Sequence, residues 1–265
     1  MRVYISADIE GVAGVTSWDE TYPGRDGYEE ARDRMNREVA AACRGAIAAG
    51  ADEIVVKDGH ETALNLKPEA MPRGVKLLRG WGQSILGMML GVDRGFDCAF
   101  FVGYHSEASS PLSPLSHTSE FDIYQEVYIN GEKTAEMDIN AMSAAMYNVP
   151  LALVTGDKGI CLKASDKYPW VKTAAVKEGI GGATLSLHPD DACELIEKAA
   201  REAVEERKFK CAPIPEKLVL ELVYKNHVKA RAASLYPGAV AVDGCTVRYE
   251  AKSLEDMLRA YNFMS

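Results

Sequence analysis

Apolar residues in this chain gather into short runs, and several runs stop at a carboxylate or an imidazole. Arg2-Val-Tyr-Ile-Ser-Ala7 predicts a buried strand that ends in Asp8-Ile9-Glu10-Gly11. Glu53-Ile-Val-Val-Lys57 predicts another, ending in Asp58-Gly59-His60. Cys98–Tyr104 predicts a third that ends at His105, and Leu151–Gly156 a fourth that ends at Asp157. Lys76–Gly80 predicts an additional strand. Between the strands the period lengthens: Tyr28–Ala49 places Met35, Val39, Ala42, Cys43, Ala46 and Ile47 on one helical stripe, and Gly50 stops it. Gln83–Leu90 and Asp138–Tyr147 predict shorter helices. Strands alternating with helices predict an α/β fold, a three-layer α/β/α domain with a mainly parallel sheet over residues 1–185.

The pattern changes beyond about Leu185. Pro189–Arg207 predicts a charged amphipathic helix with Ala192, Leu195, Ile196, Ala199, Ala200 and Ala203 on its apolar side. Lys217–Tyr224 and Thr246–Ala251 predict strands, and Asn226–Ser234 a short helix. Ser253, with Asp256 three residues on, predicts the cap of a last helix. These elements predict a smaller α+β domain over residues 186–265. Tyr124–Asn130 predicts a strand running into the Asn130-Gly131 turn. The Ser106–Ser119 loop holds four Ser between residues 106 and 113, plus Pro111 and Pro114. Loops this long are usually functional or disordered.

The strand ends are where chemistry is expected. Side chains two apart on a strand share a side, which pairs Asp8 with Glu10 and Asp58 with His60. Open parallel sheets place their sites beyond the carboxyl ends of the strands. The chain has five His; His60 and His105 follow predicted strands and His117 lies in the long loop, whereas His188 and His227 sit at helices and read as structural. Mixed imidazole and carboxylate donors suit Zn²⁺, Mn²⁺, Fe²⁺ or Co²⁺ better than Mg²⁺ or Ca²⁺. A bridging carboxylate can hold two ions, and Asp8 is placed for it. Asp58 could bind an ion, support a ligand from behind or shape the turn before Gly59.

Other chemistries have weaker support. No G-x-S-x-G and no G-x-G-x-x-G follows the first strand, which argues against a serine hydrolase elbow and a dinucleotide site. The 265 residues are 47% hydrophobic, enough for a sizeable core, with net charge −9 and pI ≈ 5.2. No Lys/Arg-rich block suggests nucleic acid, and no long apolar run suggests a membrane span or signal peptide. The six scattered Cys lack any C-x-x-C and read as free, mostly buried thiols in a reducing cytoplasm.

Several short motifs occur in order: Ser6-Ala-Asp-Ile-Glu-Gly11, Asp58-Gly-His60, Gly103-Tyr-His105, Leu115-Ser-His117, Tyr128-Ile-Asn130, Glu136-Met-Asp-Ile-Asn140 and Thr173-Ala-Ala-Val-Lys177. Together they resemble the zinc-dependent D-aminopeptidase family associated with dipeptide-transport operons. The resemblance is continuous through the first 180 residues and weaker to Pro237-Gly238 and the 256–261 helix. It implies two Zn²⁺ per chain, with Asp8 bridging, Glu10 and His60 completing one set of ligands, and His105 and Glu136 the other. It also implies a catalytic His117, cleavage of the N-terminal residue, D in configuration, from a short peptide, and a ring-shaped homo-oligomer, a homodecamer. Asn140, one helical turn after Glu136, shares its face and is a candidate for substrate binding. The family pattern is departed from in a loop before His117 that is one residue longer, in Lys158 where relatives have an acid, and in Gly59 where they have Ser. Two other functions fit the same residues: a different two-metal amidohydrolase or phosphatase, or a peptide-binding protein without turnover.

Overall fold

The computed structural model describes residues 1–265. In chain order its first elements are β1 (Arg2–Ala7), α1 (Tyr28–Ala48), β2 (Glu53–Asp58), β3 (Lys76–Leu78), β4 (Cys98–Tyr104), β5 (Tyr124–Ile129), β6 (Glu132–Lys133) and α2 (Glu136–Ala145). There follow β7 (Leu151–Asp157), α3 (Lys158–Lys167), β8 (Lys172–Ile180), β9 (Ala183–Ser186) and α4 (Pro189–Glu206). The chain ends with β10 (Leu218–Tyr224), α5 (His227–Ala233), β11 (Val240–Ala241), β12 (Thr246–Ala251) and α6 (Leu254–Phe263).

Each apolar run that ends at an acid or an imidazole is a strand of one seven-stranded sheet, ordered β3-β2-β1-β4-β7-β8-β9. All neighbours are parallel except the final pair, β8 and β9. Alternation along β1 divides its side chains between two cores. Val3, Ile5 and Ala7 pack with Val39, Ala42, Ile196 and Ala200 under α1 and α4. Tyr4 packs with Phe101, Tyr104, Met137 and Ile160 under α2 and α3. The fold is therefore α/β, as the alternation of periods predicts. After β3 the chain crosses back to lay β4 on the other side of β1. This reversal of strand order opens a crevice beyond the carboxyl ends of β1 and β4.

The second sheet is antiparallel, ordered β11-β12-β10-β5-β6. Burial alternates residue by residue along β10, as expected for a sheet covered on one face. That face holds Leu220, Leu222 and Val247 against Met257 and Leu258 of α6. Ser253 accepts from the Asp256 N–H at 3.1 Å, the predicted cap of α6. Two stretches lie across the boundary expected at residue 185. Helix α4 packs on α1 in the first layer system. Strands β5 and β6 belong to the second sheet, because β5 pairs with β10.

One predicted helix is not formed. Residues 83–90 contain only a single 3₁₀ turn, Gly87–Met89. Gln83 and Gly87 both take positive φ, and the carbonyls of Met88 and Leu90 accept from Tyr4 and Ser6 hydroxyls of β1 instead of from a following helical turn. All six Cys are free and four of them are buried. No helix is long and apolar enough to cross a membrane.

Candidate metal centre

The crevice is built by close backbone approach. The Gly11 N–H donates to the Gly103 carbonyl at 2.8 Å, and Asp8 N–H to Val102 O at 2.8 Å. Gly103 has φ +76°, and a Cβ there would overlap the Asp8 carbonyl oxygen. Gly11 is equally constrained, since a Cβ would overlap the Tyr104 carbonyl oxygen. This contact brings the end of β1, with Asp8 and Glu10, against the end of β4, with His105.

Two ligand-type clusters meet at Asp8. On one side His60 Nδ1 lies 3.3 Å from Asp8 Oδ1 and 3.2 Å from Glu10 Oε2. On the other, His105 Nε2 lies 3.4 Å from Asp8 Oδ2 and 3.3 Å from Glu136 Oε1. The two oxygens of one carboxylate thus face different clusters. Asp8, Glu10, His60, His105 and Glu136 are all buried. Glu10 Oε2 and His105 Nε2 are buried without any hydrogen-bond partner. Such orphaned atoms call for a missing ligand. A first-row divalent ion with donors at roughly 2.0–2.2 Å in a tetrahedral shell separates them by roughly 3.3–3.6 Å, close to the spacings here.

Backbone carbonyls set each imidazole's tautomer. His60 Nε2–H donates to Thr21 O at 2.7 Å, which leaves Nδ1 as the donor atom toward Asp8 and Glu10. His105 Nδ1–H donates to Ser106 O at 3.0 Å, which leaves Nε2 free. Burial alone would raise the Asp8 carboxyl, but His105 and His60 outweigh it and hold it well below the usual carboxylate range. Burial likewise opposes the cationic form of His60, yet Glu10 and Asp8 hold that imidazole well above its ordinary value. For His105 the opposing carboxylates are Glu136 and Asp8, with the same result. Without an ion the clusters therefore attract protons, which an ion would displace.

His117 reaches the centre from the long loop. Its ring stacks on His105 with centroids 4.0 Å apart and planes at 7°. Its Nδ1–H donates to Leu115 O at 2.9 Å, leaving Nε2 as an acceptor, 3.6 Å from Glu136 Oε1. Burial, then the neighbouring His105, push its pKa down. An imidazole lone pair lies in its ring plane. Two parallel planes displaced by a stacking distance share no in-plane point, so His105 and His117 do not converge on one ion in this arrangement.

Glu136 and Asn140 occupy the first turns of α2. The Asp138 carboxylate caps that helix by accepting from Ala135 N–H at 2.9 Å. Glu136 Oε1 accepts from Ser119 N–H at 2.7 Å, and Asn140 Nδ2 donates to Tyr104 OH at 2.8 Å. Asp58 shapes the loop: it accepts from Asn65 Nδ2 at 2.9 Å and Leu66 N–H at 2.7 Å and faces no cluster. Lys158 pairs with exposed Glu178 at 3.1 Å, away from the centre. His188 caps α4 and His227 opens α5. Burial pushes the Cys161 thiol up, against a nucleophilic role.

The supporting roles of three residues, Asp157 and Lys177 among them, are not evident from the sequence. Asp157 accepts from Ser106 N–H and Oγ–H, both at 2.7 Å, and from Ile160 N–H at 2.8 Å, so it fixes the residue after His105 and caps α3 together. Buried Lys177 donates to the carbonyls of Glu10 and Val15, the latter at 2.6 Å. Trp18 sits in a 3₁₀ turn, Trp18–Thr21, beside His117. The only available signal for that turn is Ser17-x-x-Glu20, a capping-box pattern.

A cavity of about 560 Å³ opens above the clusters. Buried Asp8, Glu10, His60, His117, Glu136 and Asn140 line it, together with exposed Glu61 and Glu120. No Lys or Arg lines it.

Known proteins are similar to this chain in sequence and fold. It is 35% identical over 269 residues to a D-aminopeptidase of Bacillus subtilis (strain 168), covering 100% of this chain and 95% of the relative. Its structure superposes with a TM-score of 0.93 on the Zn-dependent D-aminopeptidase DppA from Bacillus subtilis, a self-compartmentalizing protease. That match has 31% sequence identity and covers 100% of this chain and 96% of the other. The family model Peptidase_M55, D-aminopeptidase, matches residues 1–263, and the chain therefore belongs to this D-aminopeptidase family of peptidases.

Proposed function

We propose that this chain is a two-zinc aminopeptidase that removes the N-terminal D-residue from short peptides. The observation that carries the reading is the shared carboxylate of Asp8 beneath a cavity whose lining adds Glu61 and Glu120 and has no Lys or Arg. Such a cavity favours a substrate that enters with an ammonium group and disfavours a phosphate ester. Asp8, Glu10 and His60 would hold one ion, and Asp8, His105 and Glu136 the other. When bound, the ions supply Lewis-acid polarisation of the scissile carbonyl and acidify water.

The chain's own residues would do the rest. Asn140 has its Nδ2 committed to Tyr104, so its Oδ1 is the free acceptor for a substrate N–H. His117 offers an unprotonated Nε2 in the cavity lining, suited to take a proton from water and return it to the leaving amine. Its plane, parallel to that of His105, supports catalysis over ligation. By analogy with the self-compartmentalizing relative, the assembly would be a ring-shaped homo-oligomer, a homodecamer, whose enclosed space admits only short peptides. The free thiols fit a cytoplasmic setting.

D-Ala and L-Ala para-nitroanilides, with and without chelator, test the activity. Turnover of the D-substrate that chelator abolishes is expected. Acetylating the amine of a peptide substrate should stop cleavage, and equal turnover of blocked and free peptides would refute the aminopeptidase reading.

A further inference from the structure

The Trp18–Thr21 turn touches both sides of the centre. The Thr21 carbonyl accepts from His60 Nε2–H at 2.7 Å and so aims Nδ1 at Asp8 and Glu10. The Trp18 indole meets His117 edge-on, with ring centroids 5.2 Å apart and planes at 76°. His117 is thereby held by two rings, stacked on His105 and in edge contact with Trp18. Trp18 is itself stacked on Phe121, at 4.2 Å and 23°.

The turn is also braced by its own hydrogen bonds and by the sheet. Glu20 Oε2 accepts from Thr16 and Ser17 N–H, each at 2.8 Å, and Thr21 Oγ–H donates to Trp18 O at 2.9 Å. Thr16 Oγ1 bonds Thr184 Oγ1 of β9 at 2.5 Å, and Lys177 of β8 holds Val15 O. A turn bolted to the far edge of the sheet is a rigid fixture against which two imidazoles rest.

We propose that this turn is a positioning element for the reaction, its Trp18 ring holding His117 and its Thr21 carbonyl holding His60. The proposal rests on the aminopeptidase reading for its kinetic consequence alone. Trp18 is only partly buried, so its replacement need not unfold the chain. In Trp18→Ala, kcat should fall about 10–100-fold with little change in KM, because His117 loses its fixed geometry. Trp18→Phe should restore most of the rate. In a His117→Ala background, Trp18→Ala should add almost nothing, as expected for residues acting through one another. Metal content should stay at the wild-type level in Trp18→Ala. It should drop in Glu20→Ala, which releases the whole turn and with it Thr21.

A readout independent of peptide cleavage is the rate at which diethyl pyrocarbonate modifies His117 in the metal-loaded protein, followed by peptide mass spectrometry. Trp18→Ala should raise that rate several-fold and Trp18→Phe should not. An unchanged modification rate overturns the proposal, as does a rise in KM at constant kcat or additivity in the double mutant. If the wild type cleaves no aminoacyl substrate, the functional reading fails, and the modification rates still decide whether Trp18 holds His117.

Discussion

Replacing Asp157 with Ala probes how the strand ends are held in register. The carboxylate is fully buried and accepts three hydrogen bonds, from Ser106 N–H, Ser106 Oγ–H and Ile160 N–H, at 2.7–2.8 Å. Bonds to a charged group contribute about 1.5–3 kcal/mol each, and a lost N-cap about 1 kcal/mol. The three share one carboxylate and are not additive, since water can enter the space left behind. The expected loss is about 3–5 kcal/mol, the large-effect class in which buried donors are left unpaired. At roughly 2–4 °C per kcal/mol for a chain of this size, the unfolding midpoint should fall by roughly 6–20 °C. Asp157→Asn should lose less, because it keeps one acceptor oxygen but turns an amide donor toward the Ser106 N–H. Ser106→Ala should lose about 1 kcal/mol, one hydroxyl bond. Urea unfolding followed by circular dichroism, with free zinc fixed in every sample, measures all three. A loss below 1 kcal/mol for Asp157→Ala would refute the reasoning, since the bonds would then be replaceable by solvent.

Other substitutions have equally definite outcomes. Asp8→Ala should lose both ions and His105→Ala mainly one, as read by elemental analysis after dialysis; retention of one full equivalent by Asp8→Ala would reject a shared ligand. His117→Ala should lower kcat by about 10²–10⁴-fold with metal content intact, and near-normal kcat would remove His117 from the chemistry. Burial pushes the Glu38 carboxyl up to about 7, above its ordinary 4.5. The folded state then holds the proton more tightly, so the stability this group contributes is complete below pH 4.5 and is lost as pH rises through 7. Glu38→Gln should therefore gain on the wild type as pH rises from 5 to 8, by about 3 kcal/mol at most; a constant difference across that range would reject the shift.

Much of the centre is legible in the sequence because a buried parallel strand announces itself as an apolar run, and the residues at and just past its end gather at the crevice, although Asp58 and Asp157 turn to support loops instead. Asp8, Glu10, His60 and His105 are found this way. Glu136 is not, since it opens a helix and nothing in its periodicity marks it; only the resemblance to a family supplies it. The Ile85–Leu90 stretch has helical composition, but Gly87 and the Tyr4 and Ser6 hydroxyls take its backbone elsewhere. Helix α3 and strand β8 pass unnoticed because alanine and lysine dilute their patterns. The layer to which α4 belongs is invisible for another reason: its apolar stripe says that it packs, and not on what. Trp18 acts through ring geometry, which has no linear signature.

The path of the chain between His105 and Glu136 sets when the centre can exist. After His105 the backbone leaves the first sheet, passes His117, and forms β5 before returning at α2 with Glu136. Strand β5 is paired with β10, which lies some ninety residues further on. On a ribosome the first four strands emerge early, carrying Asp8, Glu10, His60 and His105. The strand that tethers the His117–Glu136 segment stays without its main partner until residues 218–224 have cleared the exit tunnel. A nascent chain in which β10 has not yet emerged would thus carry every candidate ligand yet lack the scaffold that aligns them. The centre would be aligned only once β10 is available to pair with β5.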